Sequence, residues 1–388
     1  MLIAPKRGFI EKEYENRLIK TQKLMLEEKT DAILLTTQVD IEYYTGFKTQ
    51  FFESPTRPWF VLIPLEGKPK AIIPGIGKSG MEETWIDDIQ TWVSPNPEDE
   101  GISLLISTIN SLMKRFKRLG IPQGHESSLR MPLGDYNKLI SSLDALQISN
   151  ATNILRSIRY IKSSAEIEKI SYICNIVSQG FRDLPKFLRV GESERRNCQR
   201  FKGHLLSLGV DDFPYLISGS GQGGYGSIIM GPSESILKDG GILIIDTGCV
   251  YDSYFCDFDR NYAFSYASDE SKKAYEIVYN ATDVGFEACK VGNTTTDIFN
   301  AMNKVLQNGG ALGNSVGRLG HGLGMQLTEW PSHTINDNTI LEEGVVITLE
   351  PGMEYLPNKE MVHEENVLIT NNGPVWLSER APKELPII

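Results

Sequence analysis

Residues 242–260 read ILIIDTGCVYDSYFCDFDR, and this run governs how the rest of the chain is understood. An apolar segment closes on Asp246, Asp257 follows eleven positions later, and Asp259 and Arg260 come next. A carboxylate at the end of an apolar strand is costly unless it is paired or bound to a cation. The chain repeats the pattern downstream. Residues 345–355, VVITLEPGMEY, set Glu350 at the end of a second apolar run. Residues 361–370, MVHEENVLIT, set Glu364 and Glu365 at the start of a third. Residues 317–332, GRLGHGLGMQLTEWPS, hold His321 in a glycine-rich, tightly turning segment.

Each of these residues has an ordinary reading by itself. Asp246 can cap a turn, Glu350 can serve the Pro-Gly turn after it, and His321 can be a satisfied core histidine. Together they form one composition: Asp246, Asp257, Glu350 and Glu364 with the imidazole of His321. That donor set suits two divalent cations of intermediate hardness, Mn, Fe, Co or Zn. Four carboxylates offset two dications, and such a pair makes water a nucleophile at neutral pH.

The 388 residues are enough for two or three domains at about 150 residues each. With 39 Lys+Arg against 50 Asp+Glu the net charge is −11, which argues against a phosphate-backbone partner such as nucleic acid. The five cysteines never fall in CxxC spacing, so a reducing compartment is expected rather than a disulfide scaffold. The first residues, MLIAPKRGFIEKEYENRL, are charged and lack the apolar core of a secretory signal. No apolar run approaches the roughly 20 residues of a membrane helix. A cytoplasmic protein with no membrane partner is expected.

The first half alternates short apolar runs (31–35, 59–64, 70–74, 90–93) with amphipathic segments at 11–29, 102–117 and 133–143. That texture predicts an α/β domain. A seam falls near 151–165, where Ser163 and Glu166 have capping-box spacing. Beyond it Ile167, Ile170, Cys174, Val177 and Phe181 recur at helical spacing. Helices at 192–208, 269–290 and 294–308 and strands at 213–219, 241–245 and within 345–369 predict an α+β second half. The expected division is 1–155 and 156–388.

The order Asp246, Asp257, His321 in GHGLG, Glu350 in LEPG and Glu364 in EENVLIT resembles the pita-bread metalloenzymes of the M24 superfamily. That superfamily includes methionine aminopeptidase, aminopeptidase P, prolidase and creatinase. DIEYYTGF resembles the creatinase/prolidase N-terminal domain, and IRYIKSSAEIEKI resembles the linker that follows it. The resemblance implies an α+β pita-bread catalytic domain behind a smaller α/β creatinase-type domain. It also implies a dinuclear metal site held by Asp246, Asp257, His321, Glu350 and Glu364, with Glu350 also moving a proton. Arg260, and His363 beside the last ligand, would position those carboxylates. A homodimer is implied, with the N-terminal domain of one subunit covering the site of the other.

The departures bear on the reaction. The peptidases have a histidine seventeen residues before the first metal Asp, where this chain has Ile229. They have another seven residues after the metal His, where this chain has Thr328. The threonine of their D-x-T-R motif is Asp259 here. Three functions are therefore weighed. One is a hydrolase that cleaves a C–N bond in a small carboxylate-bearing substrate or dipeptide. The second is a lyase like the family's dimethylsulfoniopropionate branch, which has a similar acid–Trp–Pro stretch; Asp259, Glu329 or Tyr225 would then be the base. The third is a non-enzymatic binding protein, which five intact ligands disfavour. Arg57, Trp59, Thr328 and His333 are the expected substrate-binding residues. Arg57 could grip a carboxylate and Trp59 could pack a cation or apolar group.

Overall fold

The computed structural model describes residues 3–143, 146–313 and 317–388. The chain folds as two compact units. One spans Lys6–Arg159; the other spans Tyr160–Ile388 together with the segment ending at Pro5. The division falls four residues beyond the expected 155/156. The helix Thr152–Tyr160 crosses that point, and its last turn is tied to the first unit. The Tyr43 hydroxyl donates to the Ile158 carbonyl at 3.3 Å, and Arg159 pairs with Asp40 at 3.2 Å.

The first unit is built on strands β1 (Ala32–Leu35), β2 (Phe60–Pro64), β3 (Lys70–Pro74), β4 (Asp88–Trp92), β5 (Arg118–Ile121) and β6 (Gln147–Asn150). Their order is β4-β3-β2-β1-β5-β6. β1–β2 and β2–β3 are antiparallel, and the outer pairs are parallel. Leu34, Phe60, Leu62 and Ile72 pack against Ile102, Leu105 and Ile109 of the helix Ile102–Leu112. That helix stops short of the expected 117. The carboxylate of Asp31 collects the backbone N–H groups of Arg115, Phe116 and Arg118, so the chain leaves the helix and enters β5. The DIEYYTGF segment is helical over Gln38–Thr45, capped by Thr37 and closed by Gly46 at φ +77°.

The second unit carries two antiparallel sheets. β7 (Asp212–Gln222), β8 (Gly241–Tyr251), β9 (Tyr254–Phe255) and β10 (Phe258–Ala263) form one, with β8 between β7 and β10. The other joins β11 (His321–Gly322), β12 (Glu329–Ser332), β13 (Val346–Leu349), β16 (Glu365–Leu368) and β17 (Val375–Trp376). A hairpin of β14 (Gly352–Leu356) and β15 (Lys359–Val362) completes the strands. All of β8 is buried, which explains why its sequence is almost unbroken apolar residues. Ile242, Ile244, Ile347, Leu349 and Val367 share one core with Val278 and Met302 of the helices Asp269–Ala288 and Thr295–Asn308. The helix Ser164–Asp183 opens with the expected capping box, in which Ser163 and Glu166 each accept the other's backbone N–H. Among the described residues no helix is long and apolar enough to cross a membrane.

Candidate metal centre

The two sheets are stitched together at the site by Asn366 of β16. Its Oδ1 accepts the Asp257 N–H at 2.9 Å, and its amide donates back to the Asp257 carbonyl. This fixes the turn before β10 beside the turn before β16, bringing Asp257 and Glu364 to one place. His321 arrives from β11, its N–H bonded to Thr348 Oγ1 at 3.2 Å. Its Nδ1 lies 2.8 Å from the Gly322 carbonyl, so Nδ1 carries the hydrogen and Nε2 presents a lone pair. That Nε2 is 3.4 Å from Asp257 Oδ2. Ligand atoms of Asp257, His321 and Glu364 all lie within 4.8 Å of one another. Asp246 stands on β8, opposite Asp259 on β10 and Ile217 on β7. Glu350 follows β13 directly and anchors its N–H on the Leu319 carbonyl at 3.0 Å.

Asp246, Asp257, His321, Glu350 and Glu364 line the floor of one cleft of about 850 Å³. Burial is the first cause of an upward shift at every carboxylate of the set. It drives Asp246 and Glu364 well above the usual carboxylate range, with Asp257 adding repulsion at both. Asp257 and Glu350 are each pushed up to about 7. Asp246 Oδ1 and Glu364 Oε1 are buried with no hydrogen-bond partner among the described residues. Unpartnered buried carboxylate oxygens are unfavourable in a metal-free protein and are what divalent cations require. The donor set therefore fits divalent metal, with Asp257, His321 and Glu364 closest together.

Residues 168–371, more than half of the chain, match metallopeptidase family M24, and residues 17–161 match the creatinase/prolidase N-terminal domain. The chain belongs to metallopeptidase family M24. An uncharacterised peptidase of Bacillus subtilis, YqhT, is 27% identical over 96% of this chain and 100% of its own length. A Xaa-Pro dipeptidase of Pyrococcus furiosus is 25% identical over 94% of this chain and 98% of its own. The crystal structure of prolidase from Thermococcus sibiricus superimposes with a TM-score of 0.86 at 25% identity, covering 98% of this chain and all of that one. The architecture of this M24 member is thus the α+β pita-bread domain behind a creatinase-type N-terminal domain.

Several residues singled out in the sequence lie elsewhere or do other work. Glu329 is off the cleft wall. It is buried in an ion pair with Lys162 at 3.1 Å and accepts the Met325 N–H at 2.9 Å. Tyr225 is a core residue whose hydroxyl donates to Asn261 Oδ1 and accepts the Val362 N–H, both at 2.9 Å. His333 is fully buried, with Nε2 3.0 Å from the Thr348 carbonyl, and burial drives its pKa down to about 3. It is a neutral packing group, not a substrate ligand. Asp259 stands beside Asp246 as its register partner on β10 and does not line the cleft; burial and the Asp246 charge drive its carboxyl upward. Trp59 is buried in the core of the first unit against Phe47 and Phe52. Arg57 is half-buried in the loop before it, in the left-handed region at φ +57°.

Thr328 and Ile229 do line the cleft. Arg260 is bonded to the backbone beside the last ligand rather than to a ligand carboxylate among the described residues. It donates to the Glu364 carbonyl at 3.4 Å, to Glu365 Oε2 at 3.2 Å and to the Asp259 and Glu379 carbonyls. His363 is buried between Thr282 Oγ1 at 3.3 Å and Arg380 at 3.2 Å, and burial with the neighbouring arginines lowers its pKa. It is neutral and accepts from Arg380.

Two cleft residues escaped the sequence reading. Tyr215 on β7 brings its hydroxyl to Asp246 Oδ2 at 2.9 Å and to Asp257 Oδ1. The ring needs Gly248 opposite it, since a Cβ there would stand 2.4 Å from Tyr215 Cε1. Arg318 lines the cleft three residues before His321 and donates to Thr328 Oγ1 at 3.1 Å. The first could be sought only as a polar tip on a strand next to Asp246. The second is a lone arginine in GRLGHG.

Proposed function

We propose that this M24 chain hydrolyses a C–N bond in a small carboxylate-bearing substrate of the dipeptide class, with a pair of divalent ions held by Asp246, Asp257, His321, Glu350 and Glu364. The observation that carries the reading is the convergence of this complete donor set, with unpartnered oxygens on Asp246 and Glu364, at the floor of one cleft. The names of the relatives, a Xaa-Pro dipeptidase and a prolidase, support the bond type. When bound, the metal pair would supply Lewis acidity and a nucleophile from water at neutral pH. Tyr215 holds the Asp246 and Asp257 carboxylates in register, and Gly322 fixes the His321 tautomer. Glu350, half-buried on the cleft floor, takes a proton on its carboxylate and returns it to the leaving nitrogen. Water is consumed, the C–N bond breaks, and an acid and an amine leave.

Elimination of the dimethylsulfoniopropionate kind has less support. Each of the three bases it would draw on, Asp259, Glu329 and Tyr225, lies off the cleft wall. The test is elemental analysis of the purified protein, with hydrolysis of Leu-Pro and elimination from dimethylsulfoniopropionate followed in the same sample. Bound transition metal and chelator-sensitive release of proline are expected. Absence of metal, or an alkene product without dipeptide cleavage, would overturn the reading.

A further inference from the structure

The cleft has one feature that neither the metal ligands nor the proton-moving glutamate explain. Its floor is acidic, yet Arg318 stands in its wall, the one cation among the described residues that line it. Among the described residues Arg318 forms no ion pair, although its charge is felt at Asp257 and Glu350. Its hydrogen bond is to Thr328 Oγ1, through Nη2. Among the described residues the rest of the planar donor fork has no partner, and a fork of this geometry matches a carboxylate bidentately. Thr328 accepts from Arg318, so its own hydroxyl hydrogen is free to point at the same anion.

Thr328 is itself held firmly. Glu329, the next residue, is locked by Lys162 on one oxygen and by the N–H groups of Met325 and Gln326 on the other. The buried ion pair thus gives Arg318 a fixed anchor in place of a mobile loop hydroxyl. Leu216, Ile217, Ile228, Ile229 and Leu327 supply apolar cleft wall. Ile229 is 79% exposed, an exposure that a covering apolar group would reduce.

We infer that Arg318, oriented by Thr328, is the residue that binds the free carboxylate of the substrate. The apolar wall takes an uncharged, branched or cyclic group at the substrate's other end. This rests on the hydrolase reading above and sharpens it: the preferred substrate ends in a carboxylate within reach of the scissile bond. A blocked C-terminus is selected against because it leaves the guanidinium without its anion.

Two readouts test this on the full-length protein as purified. The first is kcat/KM for Leu-Pro against Leu-Pro amide in the wild type, Arg318→Ala, Arg318→Lys and Thr328→Val. Wild type prefers the free acid, and Arg318→Ala reduces that preference about 30-fold, through KM. Arg318→Lys restores part of it and Thr328→Val loses about fivefold. Equal losses on acid and amide, or a fall in bound metal, would instead make Arg318 a support of the metal ligands and overturn the assignment. The second readout needs no turnover: calorimetric binding of isovalerate against isovaleramide. A preference for the acid that vanishes in Arg318→Ala supports the assignment even if no peptide is cleaved, in which case only the hydrolase reading fails. Equal binding of acid and amide, binding of neither, or a preference that survives in Arg318→Ala overturns it.

Discussion

At Tyr215 one phenol stands between two carboxylates. It has a single hydrogen to give, yet its oxygen is within hydrogen-bonding reach of Asp246 Oδ2 and Asp257 Oδ1. The second contact is satisfied only if a carboxyl carries a proton or a cation draws the oxygens together. Burial, reinforced by Asp246 and Asp257, pushes the Tyr215 hydroxyl well above the usual phenol range, so it remains the donor. Tyr215→Phe keeps the ring against Gly248 and removes the bond that orients both acids. Partners that orient metal ligands typically contribute 10–100-fold to affinity, so metal binding is expected to weaken by about tenfold. Competition with a fluorescent chelator measures this directly. An affinity equal to wild type would show that the phenol is only packing.

At the level of elements, the Lys162–Glu329 pair joins the segment before the helix Ser164–Asp183 to β12, across 167 positions of sequence. The side chains are 2% and 5% exposed, so removal of the cation leaves a buried charge. Lys162→Met is expected to cost about 3–5 kcal/mol, and adding Glu329→Gln should recover part of that. Urea denaturation of the single and double variants measures it, and a single-variant loss below about 1 kcal/mol would sink the idea. The same pair shows why part of the site was illegible. Asp246, Glu350 and Glu364 stood out because acids beside apolar strands violate local pattern, and the violation is visible in the sequence. Glu329 was singled out through the acid–Trp–Pro resemblance, and its partner lies too far along the chain for pattern to reveal. His333 and Tyr225 were misread for the same reason: their partners are the Thr348 carbonyl and Asn261. Arg318 and Tyr215 broke no rule, so only the folded arrangement draws attention to them. β1 to β4, β7 and β8 were legible as short apolar runs, whereas β6, β10, β12 and β17 lacked one and went unread. β5 went unread too, because Asp31, far upstream in sequence, ends the preceding helix.

For the whole molecule, the acidic floor makes stability depend on pH and metal together. Asp257 and Glu350 rise to about 7 in the metal-free fold, chiefly through burial, against ordinary values of 3.8 and 4.5. The folded chain therefore holds protons that the unfolded chain has released across that interval. Stability from these groups is complete below their unfolded values and is lost as pH rises through about 7. Divalent ions reverse the sign, because they need the ionised carboxylates and bind the folded state alone. The thermal midpoint of chelator-treated protein should fall between pH 5 and pH 8, and that of protein saturated with Mn²⁺ or Co²⁺ should hold or rise. Asp257→Asn removes one titrating group, so the downward slope of the metal-free protein should shrink and the stabilisation by metal should largely disappear. Scanning calorimetry of both proteins across that range decides the matter. A metal-free midpoint that climbs with pH would show that these carboxyls are not held protonated, and a variant still stabilised by metal as strongly as wild type would show that the cleft floor is not where the ions bind.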